Sequence, residues 1–368
     1  MYDHPIQEDL LYMMLYEAGT LISLIACCYL LLRRGNAFAP DITSPVRLRK
    51  WTAGLFAATT LSHLWYLPHN FLTSDDDEAR FFLLGGLLDT MTVIPLAIVI
   101  LLVMLQDRRR PLWPVAVMVL PLVIGMVLSV VYCSFAFLPI LYAYLMLLGI
   151  GLAIYMLRAL RQYGRWLRDN YADLEHKEVW QSFTVLGIFL LMFGIYAMSS
   201  KAPVYEYVLQ LYNIALTCYL VWRVETLSDL GGEFGGGLKV EGGGREPSTL
   251  NQEPSTIHQK LQQNCVEAQL YLQHDLTLVQ LAQAIGTNRY YLSQYFASQD
   301  MNYNAYINDL RINHFVTLYR DAIANLRPYT AQQLAHDSGY RSYSTFSLAF
   351  KQRMGQSVTA WMRDTARA

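Results

Sequence analysis

Seven apolar stretches follow one another between Leu10 and Val224, each near the roughly 20 residues that an α-helix needs to cross about 30 Å of hydrocarbon. They run Leu10 to Leu32, Thr52 to Leu72, Phe81 to Leu105, Leu112 to Tyr132, Phe135 to Leu157, Val179 to Ser200 and Val204 to Val224. Pro95, Pro121 and Pro139 fall inside the third, fourth and fifth. Such prolines are tolerated in spans because neighbouring helices satisfy the freed carbonyls. A soluble all-α globule would need several helices apolar on every side, so the pattern excludes it. Only 15% of the chain is charged and 54% is hydrophobic, against about 25% charged in ordinary soluble domains.

Orientation follows from Lys and Arg in the short loops. Arg33, Arg34, Arg47, Arg49 and Lys50 follow the first span, Arg108, Arg109 and Arg110 the third, and Arg158, Arg161, Arg165, Arg168 and Lys177 the fifth. The opposite side holds only Arg80 and Lys201. The expectation is an N-terminus outside and a C-terminus in the cytoplasm. The acidic leader Asp3, Glu8 and Asp9 is unlike a cleaved signal, which needs basic residues. The basic row after the fifth span suits anionic headgroups.

Composition changes abruptly after Glu225. Residues 228–256 hold eight glycines with Pro247 and Pro254, the signature of a flexible tether with a span of roughly 30 Å. Such a tether transmits no torque; a signal crossing it acts by local concentration, occlusion, association or proteolytic release. The chain therefore divides into a membrane domain (1–227), a linker (228–256) and a soluble domain (257–368). The formal net charge of -1 conceals this division. Residues 257–368 carry 10 Lys and Arg against 7 Asp and Glu, and the linker 2 against 5.

The soluble part contains an internal repeat. Thr277, Gln280, Leu281, Ala282 and Gly286 recur at the same spacing as Thr330, Gln333, Leu334, Ala335 and Gly339. Each Thr-x-x-Gln is a capping box that starts a helix, each Leu-Ala pair faces a core, and each Gly permits the left-handed backbone that ends the helix. A second short helix follows in each copy, with Leu292 and Phe296, then Phe346 and Phe350, at i, i+4 spacing. Helix, tight turn, helix is the arrangement whose second member enters a major groove.

Two such units joined by a longer helix (Tyr303 to Tyr319, with Leu310-Arg311-Ile312) end in Gly339-Tyr340-x-Ser342-x-Ser344-x-Phe346-x-x-x-Phe350-Lys351-x-x-x-Gly355. Over about 110 residues this resembles the AraC/XylS-type DNA-binding domain of bacterial transcription regulators. The resemblance implies base-reading positions at Tyr290, Ser293 and Gln294 in the first recognition helix, with Asn288 and Arg289 near phosphates. In the second it implies Tyr343, Ser344, Ser347 and Leu348, with Arg341 and Lys351 as phosphate contacts. Gln pairs with adenine, and an aromatic face packs on a thymine methyl. The chain departs from the pattern at Leu348, where an Arg is frequent, at Asp300, where a Gly is usual, and at Ser357-Val358 in place of Thr-Pro. The first helix also lacks a basic pair after Phe296.

Counting ~1.5 Å per residue puts Glu17, His63, Asp89 and Asn213 in one layer roughly 10 to 14 Å below the outer surface. With His69, Tyr142 and Glu206 they form a candidate pocket for a polar ligand, metal or proton; the alternative is a set of interhelical hydrogen bonds. Cys27, Cys28, Cys133, Cys218 and Cys265 show neither disulfide nor zinc spacing. No phosphate loop, nucleophile elbow or paired-carboxylate motif is present, so neither an enzyme nor a cofactor is expected.

The sequence thus describes an all-α chain, a polytopic seven-helix transmembrane bundle followed by a soluble double helix-turn-helix domain, in the bacterial inner membrane. Its partners are double-stranded promoter DNA and the lipid bilayer, with a small-molecule or ion effector and a homodimer left open. A transporter or channel with a cytoplasmic sensing or scaffolding domain is the alternative.

Overall fold

Runs of Leu, Ile, Val, Ala and Met fold as helices because a helix satisfies its own backbone even where no water reaches it. The structure, a computed structural model, describes residues 10–33, 36–40, 42–66, 75–185, 187–188, 203–230 and 254–367. Among them every regular element is helical, and the one strand-like pairing is an antiparallel bridge between Tyr171 and Thr277. The chain forms two compact units, one of residues 1–163 and 179–238, the other of residues 164–178 and 239–368.

Helices of the first unit include α1 (Leu10–Leu32), α2 (Val46–Tyr66), α3 (Asp75–Met91), α4 (Val93–Met104), α5 (Trp113–Val131), α6 (Leu138–Asn170, its last turns in the second unit) and α7 (Pro203–Thr226). Four stretches of the described residues are helical, long and apolar enough to cross a membrane: Leu10–Leu32, Ala79–Met104, Trp113–Val131 and Phe135–Asn170. This corrects the expectation of seven. In the described part of the second expected span, within α2, Arg47, Arg49 and Lys50 at the helix start, then Thr59, Thr60, Ser62 and His63, dilute the apolar content. Gln210, Asn213, Arg223 and Glu225 do the same in α7. Most of the sixth expected span lies outside the described residues. Ala79–Met104 is interrupted at Thr92, three residues before Pro95, whose nitrogen has no hydrogen to donate to the preceding turn.

Helix α1 packs on α2 and α7, α2 on α4, and α3 on α5. A Cβ added at Gly125 of α5 would lie 2.2 Å from Leu141 Cδ2 of α6, so α5 and α6 pack closely here and a larger residue would displace the Leu141 side chain. Glu225 is fully buried and accepts from Tyr29 Oη at 2.7 Å, Ala37 N at 2.8 Å and Arg49 Nη1 at 3.2 Å, which ties α1, α2 and α7 together. Gln106 holds the first residues of the expected tether, donating to Ser228 O at 2.9 Å and accepting from Leu230 N at 2.8 Å. Outward positions such as Ile25, Val117, Ile124, Ile140 and Leu147 are exposed and apolar. Exposed apolar side chains in such number are costly in water and suit hydrocarbon.

The second unit contains α8 (Pro254–Leu261), α9 (Leu278–Ala284), α10 (Arg289–Ser298), α11 (Tyr303–Ala324), α12 (Ala331–Asp337), α13 (Tyr343–Met354) and α14 (Val358–Arg367). One core gathers Leu281, Leu292, Phe296 and Ile307 with Cys265; a second gathers Phe315, Phe346, Phe350 and Trp361. Helix α11 contributes to both, so it joins the two halves. Between them sits Arg311, 1% exposed. Its Nε donates to Tyr271 O at 2.8 Å and its Nη2 to Gln273 O at 2.7 Å and His274 O at 3.2 Å. The guanidinium lies 5.4 Å from the Tyr340 ring centre. Residues 164–178, expected only as part of a loop after the fifth span, pack into this unit and bury Ala172 in its first core.

Candidate nucleic-acid interface

Local rules set each half of the interface. Thr277 Oγ1 accepts from Gln280 N at 3.3 Å while Gln280 Oε1 accepts from Thr277 N at 2.9 Å, a complete capping box at the start of α9. In the second copy Thr330 accepts from Gln333 N at 3.1 Å; among the described residues the reciprocal bond forms in the first copy alone. Helix α9 ends at Gly286 (φ 65°) and α12 at Gly339 (φ 92°). Thr287 N donates to Ala282 O at 2.9 Å and Tyr340 N to Ala335 O at 3.1 Å, the bonds of a left-handed C-cap. The same cap ends α10 at Asp300 (φ 52°) and α11 at Leu326 (φ 51°), two residues that bear a side chain in a conformation favouring glycine. Asp300 thus stands in the turn where the family pattern places a glycine.

The recognition helices start from their own caps. Asn288 Oδ1 accepts from Tyr291 N at 3.0 Å at the head of α10, and Ser342 Oγ accepts from Thr345 N at 3.3 Å at the head of α13. Asn288, expected near phosphates, therefore has its side-chain oxygen committed to the helix start. Leu292 and Phe296 turn inward from α10, as do Phe346 and Phe350 from α13. The opposite faces carry the expected base-reading residues. Tyr290 is 64% exposed and Leu348 62%; Ser293, Gln294, Tyr343 and Ser344 are also exposed, and Ser347 is half-buried. Gln294 Nε2 donates to Tyr290 Oη at 2.7 Å, so the two side chains act as one surface. Ser344 Oγ lies 3.0 Å from Ser342 Oγ.

Two of the cations expected at phosphates, Arg341 and Arg289, have neighbours of opposite charge. Arg341 Nη1 is 3.4 Å from Asp275 Oδ2, and Asp275 Oδ1 is 3.9 Å from Lys177 Nζ. Arg289 opens α10 within electrostatic reach of Tyr171 and Asp169; burial draws its pKa down, and these two groups oppose that shift. Lys351 is exposed near the end of α13. Ser357 Oγ accepts from Ala360 N at 3.3 Å and Val358 is buried, so this pair starts α14 in place of Thr-Pro. Arg311 and Arg353 went unassigned in the sequence reading: Arg353 Nε pairs with Asp309 Oδ1 at 2.7 Å and fixes α13 on α11.

In the first unit, part of the expected polar layer comes together. The His63 ring is buried, with Nδ1 2.9 Å from Thr59 O and Nε2 3.4 Å from Gln210 Oε1. Tyr16 donates to His63 O at 2.7 Å and its ring meets the imidazole edge-on at 4.5 Å. Asp89 lies within electrostatic reach of Tyr16. A Cβ on Gly19 would sit 3.8 Å from Asn213 Nδ2 and 3.6 Å from Gln210 Oε1. Glu17 is exposed on α1, and the contacts among Tyr16, His63 and Gln210 form without it. Tyr142 lies on α6 and is half-buried. His69 and the Glu206 side chain lie outside the described residues. Tyr16 and Gln210 were missed because both read as ordinary interfacial residues. No group of three or more metal-ligating side chains forms among the described residues.

No curated protein and no solved structure matches the chain at a significant level. Residues 281–364 match a family model described as helix-turn-helix domain. They form an AraC-type helix-turn-helix domain, a kind that binds DNA in transcription regulators and is generally non-enzymatic.

Proposed function

We propose that the protein is a membrane-integrated transcription regulator that binds promoter DNA through α10 and α13. The observation that carries this reading is the pair of capped helix-turn-helix units, with polar and aromatic side chains outward, in a chain that also holds four membrane-length apolar helices. Tyr290, Ser293 and Gln294 read one major-groove segment, and Tyr343, Ser344, Ser347 and Leu348 read another. Arg289, Arg341 and Lys351 face the DNA backbone, and Asn288 positions α10. The protein resides in a bacterial inner membrane as a multi-pass chain with its C-terminal domain in the cytoplasm. The cluster of Tyr16, His63, Asp89, Gln210 and Asn213 is the site where the membrane part responds to a polar effector. Dimerisation would add avidity to a reader with few cations.

Genome-wide occupancy mapping of the full chain, tagged at its C-terminus, tests this reading. The expected result is discrete promoter peaks that vanish with Gln294→Ala and Arg341→Ala. Occupancy at no discrete site contradicts it and favours a transporter or channel with a helical scaffold.

A further inference from the structure

Residues 164–178 have a seat in the DNA-reading unit that covers more than one element. Ala172 N donates to Leu276 O at 3.2 Å, and Asn304 Nδ2 donates to Tyr171 O at 3.2 Å and Ala172 O at 2.7 Å. Asn304 Oδ1 accepts from Asn308 Nδ2 at 3.0 Å, and Asn308 Oδ1 accepts from Tyr340 Oη at 2.8 Å. A polar chain therefore runs from the segment across α11 to the turn of the second unit. Ala172 fills the first core, and Lys177 lies over the Tyr171 ring at 5.3 Å.

The charges of this segment fall at the heads of both recognition helices. Glu175 Oε2 accepts from Thr345 Oγ1 at 3.2 Å in the first turn of α13. Asp169 and Tyr171 lie within electrostatic reach of Arg289, the first residue of α10. Helix heads and their cations are where a DNA backbone sets its phosphates. A carboxylate near each head, Glu175 on the Thr345 hydroxyl and Asp169 within electrostatic reach of Arg289, brings negative charge to the places a phosphate would take.

We propose that segment 164–178 is an intramolecular strap that occupies the DNA-backbone positions of the reader and is displaced when DNA binds. The segment is joined at both ends by the chain itself to the apolar-helix unit. Movement at the end of α6 therefore reaches the reader without passing through the glycine tether. Strap and DNA exclude each other because two negative groups compete for Arg289 and the head of α13.

The inference rests on DNA binding, and its test keeps the two apart. Hydrogen exchange is followed in the full chain in lipid nanodiscs, with and without a short mixed-sequence duplex at low salt. The amide of Ala172 is expected to be protected in the free chain and to exchange at least ~10-fold faster with saturating DNA. Asp169→Asn/Glu175→Gln is expected to bind the duplex roughly 10-fold more tightly, and more than Asp321→Asn/Asp364→Asn, which removes equal charge elsewhere in the unit. Full Ala172 protection with DNA bound, or equal gains in the two double variants, overturns the strap. Absence of binding by both the unaltered chain and the Asp169/Glu175 variant overturns the DNA reading itself, and the strap with it.

Discussion

Gln294 and Tyr290 illustrate how two side chains four residues apart make a recognition surface. The amide of Gln294 donates to the phenol at 2.7 Å, which leaves its oxygen and second hydrogen for a base edge. Gln294→Ala is expected to weaken cognate binding by about 1–3 kcal/mol and relax one base position. Gel-shift titration on cognate and shuffled duplexes checks this; equal loss on both contradicts the assignment. Leu326 is 92% exposed with φ 51°, a conformation that costs a non-glycine residue about 1–2 kcal/mol. Leu326→Gly is expected to raise stability by about 0.5–1 kcal/mol after the extra backbone entropy of glycine is set against it. A lower urea midpoint would contradict that. Gly339 is the reverse case, since a Cβ there would lie 2.9 Å from Leu272 Cα and 3.1 Å from Arg311 Nε. Gly339→Ala is expected to cost at least ~2 kcal/mol from left-handed strain and overpacking together, read from the same unfolding curve.

At the scale of elements, α11 holds the reader together. Arg311 satisfies carbonyls of Tyr271, Gln273 and His274, so one buried side chain fixes the segment before α9 onto the helix that also carries the second core. Arg311→Met keeps volume but leaves these carbonyls without the guanidinium, and is expected to destabilise the unit by ~3 kcal/mol or more. Hydrogen exchange across α9 to α13 in the full chain measures it; unchanged protection would contradict the role. The caps and turns of these elements were legible because they depend on residues three to five positions apart: Thr277 with Gln280, Thr287 with Ala282 across Gly286, Ser342 with Thr345. Arg311 was not legible, because its partners lie 37 to 40 residues away and a lone Arg in a helix reads as surface. The strap was hidden for the same reason, with Asn304 reaching a carbonyl 133 residues distant. Gln210 shows a further limit: depth along a span follows from counting, but its approach to His63 Nε2 depends on which neighbours the helix acquires.

For the whole molecule, the sparse cations set how DNA binding responds to salt. Arg289, Arg341 and Lys351 are the residues assigned to phosphates, so the slope of log K against log salt is expected near roughly −3, at about 0.9 per phosphate neutralised. A slope far steeper would mean that other basic groups contact the backbone. Hydrophobic patterning made the apolar part evident at once, yet counted more spans than the described helices support, because α2 and α7 carry polar and charged residues, among them the paired Arg49 and Glu225. The account's central claim is that one chain both sits in a bilayer and reads DNA. Flotation of lipid vesicles carrying the purified full chain, mixed with a labelled duplex from a mapped promoter peak, tests that claim most directly. The duplex is expected to float with the vesicles and to stay behind when the chain carries Gln294→Ala and Arg341→Ala; a duplex that never floats, or a chain that does not, contradicts it.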